Sequence, residues 1–129
     1  MTQVVAALIR KGGRFMICQR PEGKPRALCW EFCGGKVEPG EAPAKALVRE
    51  CMEEIGAEIT VDGIYAEVDH VYPDIAIHLT VFDCELKPGE EPVRLEHNDI
   101  RFITPAEADS FEFCPADRDI IRKLKEEAE

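Results

Sequence analysis

Residues Gly34 to Ala57 read GGKVEPGEAPAKALVRECMEEIGA. Within this stretch Ala44, Leu47, Val48, Cys51 and Ile55 recur at spacings of three and four. That spacing predicts a helix over 43–55 with one apolar stripe. Pro43 suits the first helical position. Gly56 suits the left-handed residue that ends a helix. Ala42 has no side-chain oxygen with which to cap, a cost of ~1 kcal/mol relative to Ser or Thr. Arg49, Glu50, Glu53 and Glu54 are expected opposite the stripe. Glu50 lies three residues from Glu53 and four from Glu54, so the carboxylates share a face and repel by roughly 0.2–0.5 kcal/mol per exposed pair. Arg49 offsets part of this by pairing with Glu53, and Glu41 adds one more carboxylate. Hard oxygen ligands at this density suit Mg²⁺ or Mn²⁺, which take one or two carboxylates and keep positions for water and phosphate. The bland alternative is a solvated acidic face.

Outside this stretch the chain reads as strands and short connections. Val4 to Ile9 is a β-branched apolar run, followed by the turn Lys11-Gly12-Gly13-Arg14 and by Phe15 to Cys18, which together predict a hairpin. Pro21 to Arg26 reads as a loop. Ile59–Val71 and Ile75–Leu86 are strand-like around the turn Tyr72-Pro73-Asp74, and Lys87 to Glu91 is a polar loop. Ile100–Ile103 reads as a short strand. Thr104-Pro105-Ala106-Glu107 has the form of a capping box. Pro115 to Glu127 reads as a last helix with Ile120, Ile121 and Leu124 inward. Strands, helix, strands, helix favour a mixed α/β or α+β layer fold.

The 129 residues are about one domain's worth, so a single domain over 1–129 is expected. Hydrophobic residues make up 45% and charged residues 33%, a globular balance. Lys plus Arg is 16 against 26 for Asp plus Glu, a net charge of −10. That argues against partners such as nucleic acid polymers or anionic membranes, which need a basic face. It leaves room for a phosphate-bearing small molecule if a divalent cation sits between. No apolar run has the length of a bilayer span or signal peptide, so a cytoplasmic protein is expected. The six cysteines form no C-x-x-C pair and no zinc-finger spacing, and read as reduced, mostly buried thiols.

Gly35, Glu41, Arg49, Glu50, Glu53, Glu54 and Gly56 fit the pattern G-x5-E-x7-R-E-U-x-E-E-x-G-U, where U is a bulky apolar residue. This resembles the Nudix box. All seven fixed letters fall in place within 23 positions; only the apolar slots are weak, holding the smaller Cys51 and Ala57. Three further segments are similar to the MutT branch of that family: Trp30-Glu31-Phe32-Cys33-Gly34-Gly35-Lys36, Tyr72-Pro73-Asp74 with the strand after it, and Pro115-Ala116-Asp117 with Ile121 and Leu124.

The resemblance implies the Nudix α/β/α sandwich, a mixed sheet between helices. It implies Mg²⁺-dependent (or Mn²⁺-dependent) hydrolysis of a nucleoside triphosphate to monophosphate and pyrophosphate, by a monomer or homodimer, cleansing the nucleotide pool of 8-oxo-dGTP or cytidine nucleotides. By position, Glu50, Glu53, Glu54 and the Gly34 carbonyl would be metal ligands, with Arg49 orienting the carboxylates and Glu41 supporting it. Glu96 would be a base or further ligand, or else an ordinary loop glutamate; His97 beside it is expected at the surface. Arg20 matches a substrate-reaching arginine, with a salt bridge as its alternative, and Glu31 lies in the matched segment before the box. Lys24 and Arg26 could contact phosphates; Pro25 stands where the branch has a histidine. Phe32 and Tyr72 would wall a base or serve the core. Asp117 stands where that branch carries a base-reading asparagine; it would read cytosine or 8-oxoguanine, or only cap the last helix. Two other readings stay open: another nucleoside diphosphate linked to a group X, such as ADP-ribose, and a non-catalytic nucleotide-binding regulator.

Overall fold

The long apolar run near the start becomes the middle of a sheet. In the computed structural model, which describes residues 1–129, strand β1 (Thr2–Lys11) pairs in parallel with β6 (Ala76–Leu86) from Thr2↔Ile77 to Ile9↔Cys84. Along its other edge β1 meets β4 (Cys33–Lys36) and then β2 (Arg14–Gln19), both antiparallel. The β1–β2 turn is Gly12-Gly13, with φ of 58° and 78°; a two-residue hairpin turn of this kind needs that left-handed region. β2 also pairs with β3 (Trp30–Glu31) and β7 (Asp99–Ile103), and β5 (Ile59–Val71) lies on the far edge of β6. The result is a seven-stranded mixed sheet.

Helices cover both faces. Val5, Ala7 and Ile9 pack with Ala46, Leu47, Cys51 and Ile55 of α1 (Pro43–Ile55). Ala6 and Leu8 pack with Ile120, Ile121 and Leu124 of α2 (Pro115–Glu127). A strand buried on both sides reads as a continuous apolar run, because neither set of alternating side chains meets water. This is the expected sandwich.

Helix α1 matches its expected bounds. Pro43 opens it, Ala42 gives no side-chain cap, and Gly56 closes it at φ 61° with its N–H on the Met52 carbonyl. Two details correct the sequence reading. Val48 is 39% exposed and Ala46 takes its place against the sheet. Glu54, expected on the solvent side, is only 6% exposed. The buried arc is rotated away from Val48 and toward Glu54, which tucks one carboxylate under the loop before β7. The two-residue β3 and four-residue β4 were not expected as strands, since segments so short carry no period. Thr104 opens a 3-10 helix over Pro105–Ser110, and the Glu107 carboxylate accepts the Thr104 N–H at 2.8 Å. All six cysteines are free thiols, five of them buried and Cys29 partly exposed. No helix is long and apolar enough to cross a membrane.

Candidate active site

Close backbone contact explains the glycines before α1. A Cβ on Gly34 would lie 1.9 Å from the Val5 carbonyl oxygen, and one on Gly35 would lie 2.4 Å from the Glu50 carboxyl carbon. Gly35 therefore leaves the space that the Glu50 carboxylate fills. Arg49 gathers the acidic groups around it. Its Nε and Nη2 donate to the two oxygens of Glu41 at 2.8 and 2.9 Å, and its Nη1 donates to Glu50 at 3.0 Å and Glu53 at 3.4 Å. A bidentate guanidinium–carboxylate pair of this geometry is strong and directional. It draws the Glu41 carboxyl down to about 2 and holds the Arg49 guanidinium more firmly charged. Glu54 has the opposite environment. Burial, then the nearby Glu50, Glu31 and Glu96, push its carboxyl far above the usual range. Uncompensated like charge near a buried carboxylate has this effect.

Two backbone anchors set Glu96 and His97 over this ridge. The Leu95 N–H donates to the Glu54 carbonyl at 3.3 Å, and the Asn98 N–H donates to the Gln19 carbonyl at 2.9 Å. The pair between them is stretched from α1 to β2. Glu96 stays exposed and lines the cavity beside the ridge. His97, expected at the surface, is 8% exposed instead. Its Nε2 lies 3.4 Å from Glu54 and 3.5 Å from Glu31, and its Nδ1 has no hydrogen-bond partner. The correction has a nonlocal cause, because the anchors on α1 and β2 are invisible in the local pattern.

The cavity measures about 450 Å³. Glu50, Glu54 and Gly34 lie on its walls together with Phe32, Tyr72 and Asp117, so the three residues expected at a base share one cavity with the ridge. Phe32 is 3% exposed and also belongs to the core, with its ring 6.2 Å from that of Phe15. The Tyr72 hydroxyl accepts the Ala116 N–H at 2.9 Å, and the Arg26 guanidinium stacks 4.0 Å from the centre of the Tyr72 ring while donating to Asp74 at 2.8 Å. Arg20 donates to Glu31 at 3.1 Å and to the Pro25 carbonyl at 2.8 Å, so it makes the salt bridge while facing the cavity. Asp117 is 6% exposed, its carboxyl makes no hydrogen bond, and α2 has no side-chain cap. Capping does not explain it. Burial, with Glu31 adding to it, pushes its carboxyl well up.

Of the expected residues, Glu41, Arg49 and Glu53 stay outside the cavity lining; Arg49 joins the other two on the solvent side of the ridge. His97, Cys114 and the Arg26–Tyr72 stack were not foreseen there. Charge decides what the cavity can take. Six acidic side chains line it against four basic ones. With Glu54 and Asp117 favoured in their neutral forms by burial, four carboxylates face four cations, and a cation bound at the ridge would give the cavity the positive balance that a polyphosphate needs.

A model of the NUDIX domain family matches residues 4–123. A CTP pyrophosphohydrolase of Escherichia coli (strain K12) is 38% identical over 117 residues, covering 91% of this chain and 86% of the relative. An 8-oxo-dGTP diphosphatase of Haemophilus influenzae is 34% identical, covering 97% and 92%. Among solved structures, a MutT protein of Methanosarcina mazei Go1 superposes with a TM-score of 0.85 at 25% identity, covering 99% of this chain and 95% of that one. The E. coli ORF135 protein superposes at 0.78 with 35% identity, covering 95% and 86%.

Proposed function

The chain belongs to the Nudix family, and from that premise we propose that it hydrolyses a nucleoside triphosphate to the monophosphate and pyrophosphate, removing cytidine or oxidised guanine nucleotides from the pool. It is a Nudix pyrophosphohydrolase, and its substrate is a nucleotide. The relatives named for CTP and for 8-oxo-dGTP support this substrate class. The observation that carries the reading is the single cavity in which an acidic ridge meets an aromatic cleft with an unpaired carboxyl.

Nudix hydrolases need a divalent metal, and the residues here fit one. Glu50 fills the space that Gly35 leaves, Glu54 is buried among like charges, and Arg49 neutralises only the outer side of the ridge. Glu50, Glu53, Glu54, Glu96 and the Gly34 carbonyl would hold Mg²⁺, with Mn²⁺ as a substitute. Such an ion screens the phosphates, orients them and makes bound water easier to deprotonate. Arg49, clamped by Glu41, keeps the glutamates aimed while they repel one another. Glu96 reaches the cavity from the opposite loop and takes the proton from the attacking water. Arg20, Lys24 and Arg26 meet the phosphates. Phe32 and Tyr72 sandwich the base, a role for which Arg26 must leave the Tyr72 ring.

Asp117 supplies the base contact, with Glu31 behind it. In its neutral form, which burial favours, it offers one O–H donor and one acceptor. That pair matches the amino group and N3 of cytosine, and equally O6 and N1–H of a guanine. The reading further takes residues 1–129 as one domain acting in the cytoplasm, as monomer or homodimer. Incubation with Mg²⁺ and CTP, 8-oxo-dGTP, ATP or ADP-ribose, with product identification, tests it. Monophosphate with pyrophosphate from CTP or 8-oxo-dGTP supports the proposal. Turnover of ADP-ribose alone overturns the substrate class, and tight binding without turnover identifies a regulator.

A further inference from the structure

We propose that Glu31, Cys114 and Asp117 form a second cation site, separate from the α1 ridge and selective for a thiophilic dication such as Zn²⁺. One carboxylate oxygen of Glu31, the Cys114 sulfur and one carboxylate oxygen of Asp117 all lie within 4.8 Å of one another. Asp117 itself points to a ligand. It is 94% buried by its 6% exposure, its carboxyl has no protein partner, and it lines the cavity, so its unmet oxygens face that space. The Cys114 sulfur, on a residue 2% exposed, also makes no hydrogen bond.

The frame is fixed by backbone. The Trp30 N–H donates to the Glu112 carbonyl at 2.8 Å, the Cys114 N–H to the Trp30 carbonyl at 2.9 Å, and the Asp117 N–H to the Cys114 carbonyl at 2.9 Å. Glu31 on β3 and the two residues at the start of α2 are thereby held in register. Arg20 occupies Glu31 Oε1 at 3.1 Å, while Oε2, the oxygen left to a metal, accepts no hydrogen bond and lies 3.5 Å from His97 Nε2. One sulfur and two carboxylates suit Zn²⁺ and not Mg²⁺, which prefers all-oxygen octahedra. Three protein ligands leave a fourth position toward the cavity, the arrangement of an exchangeable site. Binding replaces the Cys114 S–H bond with a sulfur–metal bond and the Asp117 O–H bond with an oxygen–metal bond, and both protons go to the buffer. The occupied site covers the Asp117 edge assigned above to the base, so zinc competes with nucleotide there; only this last point rests on the proposed function.

The test titrates the metal-free full chain with Cd²⁺ in the absence of nucleotide. A thiolate–cadmium charge-transfer band saturating at a single equivalent is expected, displaced by Zn²⁺ and untouched by Mg²⁺. Cys114→Ser abolishes the band, and Cys29→Ser leaves it intact. Asp117→Asn weakens cadmium affinity by more than about tenfold, the loss common even for groups one layer behind a ligand. If Cys114→Ser does not fold, as read by circular dichroism, Asp117→Asn decides alone. No band, a band that survives Cys114→Ser, or unchanged affinity in Asp117→Asn overturns the site. Because no nucleotide is present, that failure leaves the hydrolase reading standing. A failed substrate panel likewise leaves the cadmium result standing.

Discussion

The two ends of the cavity are built in opposite ways. The ridge end comes from one helix and the two glycines before it, with Arg49 holding Glu41, Glu50 and Glu53 across no more than one helical turn and a short loop. The base end draws Arg26, Glu31, Tyr72, Cys114 and Asp117 from β3, two loops and the start of α2. Charge is managed differently as well. Arg49 ties the outer ridge glutamates together, whereas Asp117 is left with no partner at all. A site made by helical periodicity tolerates little change, because each carboxylate depends on its neighbours three and four residues away. A site assembled from distant segments can change specificity one residue at a time.

The largest effect is expected at the ridge. Glu53→Gln or Glu54→Gln should lower kcat by about a thousandfold, within the usual range for losing a metal ligand or proton-transfer group, with an unchanged circular dichroism spectrum. Full activity in both variants would show that the ridge is not the reactive end. Next comes Gly35→Ala, whose Cβ would sit 2.4 Å from the Glu50 carboxyl carbon. Displacing that carboxylate should weaken Mg²⁺ activation by roughly 10–100-fold, as for other supports of metal ligands, measured as the Mg²⁺ concentration at half-maximal rate. The base end should respond in binding and not in turnover. Asp117→Ala, which removes the donor and the acceptor together, should lower kcat/KM on CTP or 8-oxo-dGTP by about tenfold, the value of one good base contact, while kcat is kept. An unchanged kcat/KM on both would remove Asp117 from recognition and erase the contrast.

The smallest effect is on stability. The folded Glu54 carboxyl lies above its unfolded value of 4.5, at about 10, because of burial and then Glu50. Its neutral form is thus stabilised in the fold, a contribution complete below pH 4.5 and lost as the pH rises toward 10. The Tm of the metal-free protein should fall by a few degrees over that window, Glu54→Gln should flatten the fall, and Mg²⁺ should reverse it. Melts that rise with pH across the window would contradict the burial of an uncompensated carboxylate.

The same contrast decides what was legible in the sequence. Helix α1, its Pro43 start and Gly56 stop, the Gly12-Gly13 hairpin and the seven spaced letters of the box are all local patterns, and local backbone chemistry determines them. Strands β3 and β4 escaped because two and four residues carry no period; what makes them sheet is pairing with β2 and with β1, elements distant in the sequence. His97 read as a surface residue because its neighbours are polar. Its burial comes from hydrogen bonds that Leu95 and Asn98 make to two other elements. Glu54 was placed on the wet side for a similar reason: helical phase locates it to within one position, and only the loop above it decides whether water reaches it. The unsatisfied carboxyl of Asp117 had no signal in the sequence beyond its resemblance to a base-reading position.

One consequence lies in how the chain must assemble. Strand β1 is the first to be synthesised, yet its parallel partner extends to Cys84, opposite Ile9. A contact spanning so much sequence pays its loop-closure entropy before any reward, which slows folding. On the ribosome the edge of the Val4–Ile9 run that pairs with β6 must therefore stay open until β6 has emerged, and this interval is when the nascent protein is most prone to aggregate and has most to gain from a chaperone.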